Sequence, residues 1–453
     1  VHENARARQN DLVMIRFPSI FNRSEERMSA LRQILVVVLG ALTLAAGRGD
    51  CDEQVMALAP ANTSGSRDFK STSNGLLAGT ASVSKVNVHT LLYPGSTTKV
   101  LAHYLPWWGP DARGVNVGYR SDDPQQARRT FADMQSRGVD GVIVDWYGKG
   151  HFVDKAWQAS MPALADFPGM TFSIMIDSGT FKFNACSGCD LTETILYNLE
   201  YISREYFTSK QYLRYDGHPI VSEFGIDAVG KADWTRIHAA YPDVHWIHTH
   251  PQGFDLPYSS GAFVWVQPSS RTLQLVGNMR DQSYRERFYD FAKDKRPTMI
   301  MVGGVWSGFD NSKAPWGTAA PGYLAQSCGQ TWLDTFKSIN DRYSAQRQLP
   351  FLQLVTWNDY EEGTALETGI ASCTTVDAQP AGRSLTVRVT YAETVDHLEL
   401  YKQLGTGAFG LIGRYPADAT SVALPDARAA TYFVKAVGKP FIQNVVSAPI
   451  VVR

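Results

Sequence analysis

Between residues 96 and 373, short apolar runs alternate with amphipathic stretches, and this alternation restricts the fold more than any other feature of the chain. The runs are VLAHYLPWW (100–108), GVIVDWYG (141–148), TFSIMIDSG (171–179), PIVSEFG (219–225), VHWIHTH (244–250), AFVWVQP (262–268), TMIMVGGVW (298–306) and FLQLVTWND (351–359). Near-continuous apolar composition is expected of strands covered on both faces. Helix-like stretches at 123–137, 154–166, 191–209, 231–240, 280–294 and 330–346 lie between most of them. A strand that reaches its neighbour through a helix runs parallel to it. Repeated over a span near the roughly 250 residues typical of such folds, the pattern predicts a (β/α)8 TIM barrel over 96–373. A doubly wound open sheet is the alternative, but no G-x-G-x-x-G turn follows the first strand.

The flanks read differently. From 374 to 453, short alternating runs such as SLTVRVTY, HLELYKQ and TYFVKAVG predict a small C-terminal β-sandwich, either a carbohydrate-binding module or a cap on the barrel. Residues 49–95 are rich in small and polar residues and read as a linker or loosely packed arm. Residues 1–48 read as an N-terminal extension with an export signal: Arg23, Arg27 and Arg32 precede ILVVVLGALTLAA, and Met28 is the expected start. That run is shorter than the roughly 20 residues of a spanning helix. A secreted, periplasmic or cell-surface location is therefore expected, without stable membrane insertion once the signal is removed. Cys51 follows GRGD, which lacks the small-residue context of a lipidation site. Export permits disulfides, so CSGC (186–189) is read as a small disulfide loop rather than half a zinc site, with Cys328 and Cys373 free to form a second bridge.

A formal net charge of −1 leaves no excess of basic residues and excludes a nucleic-acid partner. In a (β/α)8 barrel the chemistry sits at the C-terminal strand ends. Read there, the sequence offers His103, Tyr104, Trp107 and Trp108, then Asp145, Trp146 and Tyr147, then Asp177, Glu223, His248, His250, Trp265, Gln267 and Trp306. The eighth strand delivers Trp357, Asn358 and Asp359, with Glu362 three residues further on. Any one strand-end acid has a plain explanation as a helix cap, but acids and aromatics recur at nearly every end. Two neighbouring carboxyls resist ionising together, so one stays protonated and can serve as a general acid. Glycosidic bond cleavage commonly uses such a pair, and aromatic faces suit sugar rings.

The stretch TWNDYEEGTALE (356–367) also resembles two known groups. TWNDY is similar to the α-1,3-glucanases of glycoside hydrolase family 71. EGTALE, HYLPWWG (103–109) and GVDGVIVDWYG (138–148) resemble the endo-α-mannosidases and endo-α-mannanases of family 99, and VWSGFDNS (305–312) resembles both. The resemblance covers residues 96–370. It implies an endo-acting hydrolase of an α-linked polysaccharide, an α-glucan or α-mannan, with Asp359 and Glu362 as the catalytic acids. Family 99 carries glutamate where this chain has Asp359, and uses it to deprotonate the sugar 2-hydroxyl. Family 71 carries aspartate there, but glycine and serine where this chain has Glu361 and Gly363.

On reach as well as resemblance, Glu362 is expected to be the acid and Asp359 the base. The other candidates, Trp265 and Gln267 apart, are assigned to substrate binding, and no cofactor or metal is expected. Two rival readings remain: a non-catalytic barrel that holds glycans, and a metal-dependent hydrolase using His248 and His250.

Overall fold

The computed structural model describes residues 83–109, 117–183, 186–270, 274–317, 319, 321–404, 408–425 and 429–453. The extension, its signal-like segment and Cys51 lie outside these. Eight strands form the barrel: β1 (Lys99–Tyr104), β2 (Gly141–Trp146), β3 (Thr171–Asp177), β4 (His218–Phe224), β5 (His245–Thr249), β6 (Gly261–Phe263), β7 (Ile300–Trp306) and β8 (Phe351–Val355). Every neighbouring pair is parallel, and the pairing of β8 with β1, Leu352 opposite Val100 and Leu354 opposite Ala102, closes the ring. All residues of β2 and β8 are buried, as the unbroken apolar runs require.

Helices cover the outside where the sequence supplies both an apolar stripe and a start signal. Helix α1 (Pro124–Ser136) begins with Pro124 behind Asp123, whose carboxylate accepts the Gln125 N–H, and it buries Ala127, Phe131 and Met134. Helix α2 (Phe152–Ser160) continues as a 3-10 turn to Asp166. A reciprocal cap between Asp190 and Glu193 starts α3 (Leu191–Glu205). Then follow α4 (Trp234–Ala240), α5 (Gln274–Lys295) and α6 (Gln330–Asn340). Both α3 and α6 end sooner than the pattern suggests, at 205 rather than 209 and at 340 rather than 346. The segment from β5 to β6 carries Pro251 and forms only the 3-10 turn Pro251–Asp255.

The described end of the expected loose arm is in fact packed. Val83, Ser84 and Val88 are buried, Ser84 N–H donates to the Ile442 carbonyl at 3.1 Å, and Tyr93 OH bonds Gln348 at 3.0 Å. Beyond Cys373 two antiparallel sheets enclose their own core of Leu385, Val387, Leu398, Leu400, Val422 and Val434. From this C-terminal domain, Phe441 and Ile442 pass into the barrel core, and Trp332 of α6 donates to the Pro440 carbonyl at 3.0 Å. Cys186–Cys189 and Cys328–Cys373 are disulfide-bonded.

Arg137 ties these parts together. Its fully buried guanidinium pairs with Asp133 of α1 and donates to the carbonyls of Leu366 at 3.0 Å and Glu367 at 2.9 Å. It also lies over the rings of Trp357 and Phe441, 5.1 and 5.3 Å from their centroids. Truncation would leave the two buried carbonyls of Leu366 and Glu367 without this donor and the half-buried Asp133 without its nearest cation. Arg137→Ala is therefore expected to cost roughly 3–5 kcal/mol of unfolding free energy, read from urea denaturation, with Arg137→Lys recovering only part because one ammonium cannot replace the fork.

Candidate active site

At the C-terminal ends of the strands lies a cleft of about 250 Å³. His103 from β1, Asp145 from β2, Asp177 from β3 and Phe224 from β4 face it, as does Trp265 just beyond β6. Asp359 and Glu362, from the segment after β8, face the same space, and Trp107, Tyr147 and Trp316 form its walls.

The segment after β8 is built to present its acids. The chain leaves β8 through a cis Val355–Thr356 peptide, and the Trp357 N–H donates to the His103 carbonyl at 2.7 Å. Thr356 Oγ1 accepts the Asp359 N–H at 2.9 Å and lies 2.9 Å from Thr364 Oγ1. Asp359 Oδ1 accepts two backbone N–H groups, from Glu361 at 2.9 Å and Glu362 at 2.8 Å. That double bond to one oxygen sets the rotamer of Asp359 and closes the turn that lifts Glu362 to the rim. There Trp316 Nε1 donates to Glu362 Oε1 at 3.0 Å. The Glu362 carbonyl in turn accepts the Asp310 N–H at 2.8 Å.

Crowding of carboxyls governs the electrostatics. Burial, then the charge of Glu362, push Asp359 well above the usual carboxylate range, against the pull of its two N–H bonds. Burial raises Glu362 to about 7, with the Trp316 N–H working the other way and Asp145 adding to the rise. Asp177 is also pushed well up, by burial and then by Asp145, although Gly179 N–H donates to its Oδ1 at 2.6 Å. His103 is held neutral, its pKa lowered by burial to about 3. Crowded in this way the carboxyls cannot all ionise together, so near neutrality the cleft keeps a protonated carboxyl, the form a general acid needs.

Several strand-end candidates do not reach the cleft, because neighbouring residues of a strand point to opposite faces. Tyr104 follows inward His103 and packs between Phe131 and Trp157. Trp146 follows inward Asp145, donates to Asp154 at 3.0 Å and stacks on Tyr201. Trp306 turns to α5, donating to Asp281 at 3.2 Å. Trp357 faces Arg137 and Phe441. On β4 it is Phe224 that faces in, while Glu223 accepts the Thr249 N–H at 2.9 Å and lies 3.4 Å from His248 Nδ1.

His248 and His250 do not share a face. His248 packs against Trp234 and Trp246, whereas His250 lies past the strand with φ of +67° and bonds Tyr284 OH at 2.6 Å. Asn358 is a pin rather than a sugar contact: its amide both accepts from and donates to the Leu105 backbone at 3.0 Å, and its carbonyl accepts Trp108 Nε1 at 3.2 Å. Trp108 is accordingly buried, and the Gln267 backbone N–H goes to Asp281. The cleft also recruits Leu105, Ser178, Phe224, Thr356 and Trp316, which sequence reading missed. Of these only Trp316 carried a signal, as a lone tryptophan in the long polar segment after β7.

No family model matches the chain, and no curated protein matches it. Among solved structures it is similar to the GH99 endo-alpha-mannosidase from Bacteroides thetaiotaomicron, at 17% identity and a TM-score of 0.46, over 59% of this chain and 86% of that one. A second structure of the GH99 endo-alpha-mannosidase from that organism gives 16% identity, 60% and 88% coverage and the same TM-score of 0.46. A glycoside hydrolase-like protein gives 10% identity and a TM-score of 0.46, over 66% of this chain and 91% of that one. Similarity this distant carries nothing about the reaction, which rests on the cleft itself.

The carboxyl chemistry is directly measurable. By carbon-13 NMR of labelled glutamate, a signal lost in Glu362→Gln is expected to titrate near pH 7. The Trp316 N–H favours the anion, so Trp316→Phe should move that titration to higher pH.

Proposed function

We propose that this chain is an exported glycoside hydrolase that cuts an α-linked polysaccharide within its length. The observation that supports it most is the Asp359–Glu362 pair at the mouth of the cleft, with the Glu362 carboxyl raised to about 7. Glu362 donates its proton to the glycosidic oxygen as the bond from that oxygen to the anomeric carbon breaks. Asp359 takes a proton either from water, whose oxygen bonds to the anomeric carbon, or from the neighbouring 2-hydroxyl, whose oxygen bonds there as a 1,2-anhydride that water then opens at the anomeric carbon, returning the proton to O2. The two hydrogen bonds to Asp359 Oδ1 offset part of the rise that burial and Glu362 impose on it and fix its orientation; the base role is assigned on that fixed position and on the TWNDYEEGTALE resemblance. Glu362, held among the described residues by one indole at the rim, has the freedom to reach the leaving oxygen. Preference for an α-glucan or α-mannan rests on the motifs in TWNDYEEGTALE. Export is supported by two disulfides in a chain of ordinary size, which an oxidising compartment allows.

Cutting within the chain is supported by an aromatic strip across the mouth. Trp107 packs against Trp316 on one side and Tyr147 on the other, at 6.3 and 6.4 Å, and Tyr147 stacks on Phe183 at 6.2 Å. The outer members, Trp316 and Phe183, are each 54% exposed. Large apolar rings left in water at both ends of this strip suit a polymer that extends beyond the cut. Phe183→Ala is expected to raise KM for polysaccharide about three- to tenfold while leaving small aryl glycosides unaffected.

The deciding experiment pairs polysaccharide with activated substrates. Purified protein is screened on α-1,3-glucan, α-1,6-glucan and α-mannan, then on the matching glycosyl fluoride. Glu362→Gln should lose roughly 10²–10⁴-fold on polysaccharide yet retain most activity on the fluoride, whose leaving group needs no proton. Asp359→Asn should fail on both. Glycan binding without turnover in the unaltered protein would replace this reading with the non-catalytic one.

A further inference from the structure

A second cavity of about 140 Å³ lies behind the segment that carries the acids. Tyr360 and Gly363 line it, while Asp359 and Glu362 line the cleft, so one layer of chain separates the two. Gly363 has φ of +64°, and a Cβ there would come within 3.2 Å of the Asp310 carbonyl oxygen, so the partition is thin and closely packed. Tyr323, Leu324 and Gln326 on one side and Thr368, Gly369 and Ala371 on the other form walls whose chain segments the Cys328–Cys373 disulfide joins.

Its chemistry is two-sided. Phe309, Tyr323, Leu324 and Tyr360, each no more than 6% exposed, make an apolar floor. Asp310, Lys313, Gln326 and Gln443 stand around it, one of each charge and two amides that both donate and accept. Opposed single charges favour a neutral ligand, and the floor favours a ring with an apolar face. A cavity of about 150 Å³ takes up one benzene, so this one seats the ring of a pyranose with its hydroxyls projecting past the polar rim. A peptide or helix would need a long groove, and a core void would have no polar rim.

We propose that this cavity is a second, non-catalytic sugar site that holds one neutral pyranose of the glycan the cleft acts on. The ring's C–H face lies on Tyr323, Phe309 and Tyr360, and its hydroxyls meet Gln326 and the Asp310–Lys313 edge. Because Asp310 N–H holds the Glu362 carbonyl, a sugar bound here also braces the wall that bears Glu362. The identity of the glycan rests on the functional reading above; the presence of a sugar site does not.

The test uses nigerose, isomaltose and α-1,6-mannobiose as probes, with saturation-transfer NMR and calorimetry on the whole protein. Two variants address the site: Gln326→Ala removes an amide, and Ala365→Trp fills the cavity. The expected result is that a disaccharide binds the unaltered protein at two sites. Gln326→Ala should weaken one of them about five- to tenfold, and Ala365→Trp should abolish it. Gln326→Ala should keep unaltered turnover of a small aryl glycoside but show raised KM on polysaccharide; Ala365→Trp, inside the acid-bearing segment, is read by binding alone. If Ala365→Trp does not fold, as judged by circular dichroism, Gln326→Ala decides alone. Polysaccharide cleavage with sugar binding and KM unchanged in the variants overturns this proposal and leaves the glycosidase reading standing. Two-site sugar binding lost in the variants, without cleavage of any glycan, supports the site and sinks the catalytic reading. No sugar binding at all sinks this proposal.

Discussion

The chemistry depends on one oxygen. Asp359 Oδ1 accepts the N–H groups of Glu361 and Glu362 within a single turn, and Thr356 Oγ1 holds the Asp359 N–H from below. Those three bonds orient Asp359, aim Glu362 at the rim and place its carbonyl where Asp310 can bond it. Without them, two like charges three residues apart would splay into water, where neither carboxyl would be perturbed. Held inside the cleft, both have lost solvent, and each also feels a neighbouring carboxyl, Asp359 that of Glu362 and Glu362 that of Asp145, which is why both are pushed up.

Such a turn needs a rigid frame, because its charges favour opening. The frame comes from three directions. Asn358 bonds both backbone polar groups of Leu105, locking the segment to the exit of β1. Tyr360 and Tyr119 both donate to Glu367 Oε2, at 2.6 and 3.3 Å, so the last acid of the motif is used below the cleft and not in it. Arg137 then holds the carbonyls of Leu366 and Glu367 against α1. Of the four acids in TWNDYEEGTALE, Asp359 and Glu362 face the cleft, Glu367 anchors the loop, and Glu361 is buried at the turn.

The C-terminal domain belongs to this frame too. Phe441 reaches the ring of Trp357 and the guanidinium of Arg137, and Gln443 lines the second cavity. The distinction between a cap on the barrel and a carbohydrate-binding module, which composition left open, is therefore not sharp here. Residues that cap the barrel also help shape a cavity next to the acids.

The barrel was legible in the sequence because its cause is repetitive: strands buried on both faces read as unbroken apolar runs, and helices announce themselves by period and cap. The presence of Asp145, Asp177, Asp359 and Glu362 at the cleft was legible for a related reason, since strand ends in this fold converge on one face. Direction was not legible. Tyr104, Trp146, Trp306 and Trp357 stand at the same strand ends, but each points outward into the helix layer or the C-terminal domain. A shift of one residue exchanges the faces, and apolar runs with no alternation give no sign of which face is which. Nor did local sequence distinguish Glu367 from Glu362, because their roles depend on Tyr119, Tyr360 and Trp316, brought in from other parts of the chain. Local pattern was enough for the architecture and for the supply of acids. Which acids lose water and which lie beside another charge is set by the folded chain, because desolvation and charge crowding arise between segments that no local pattern connects.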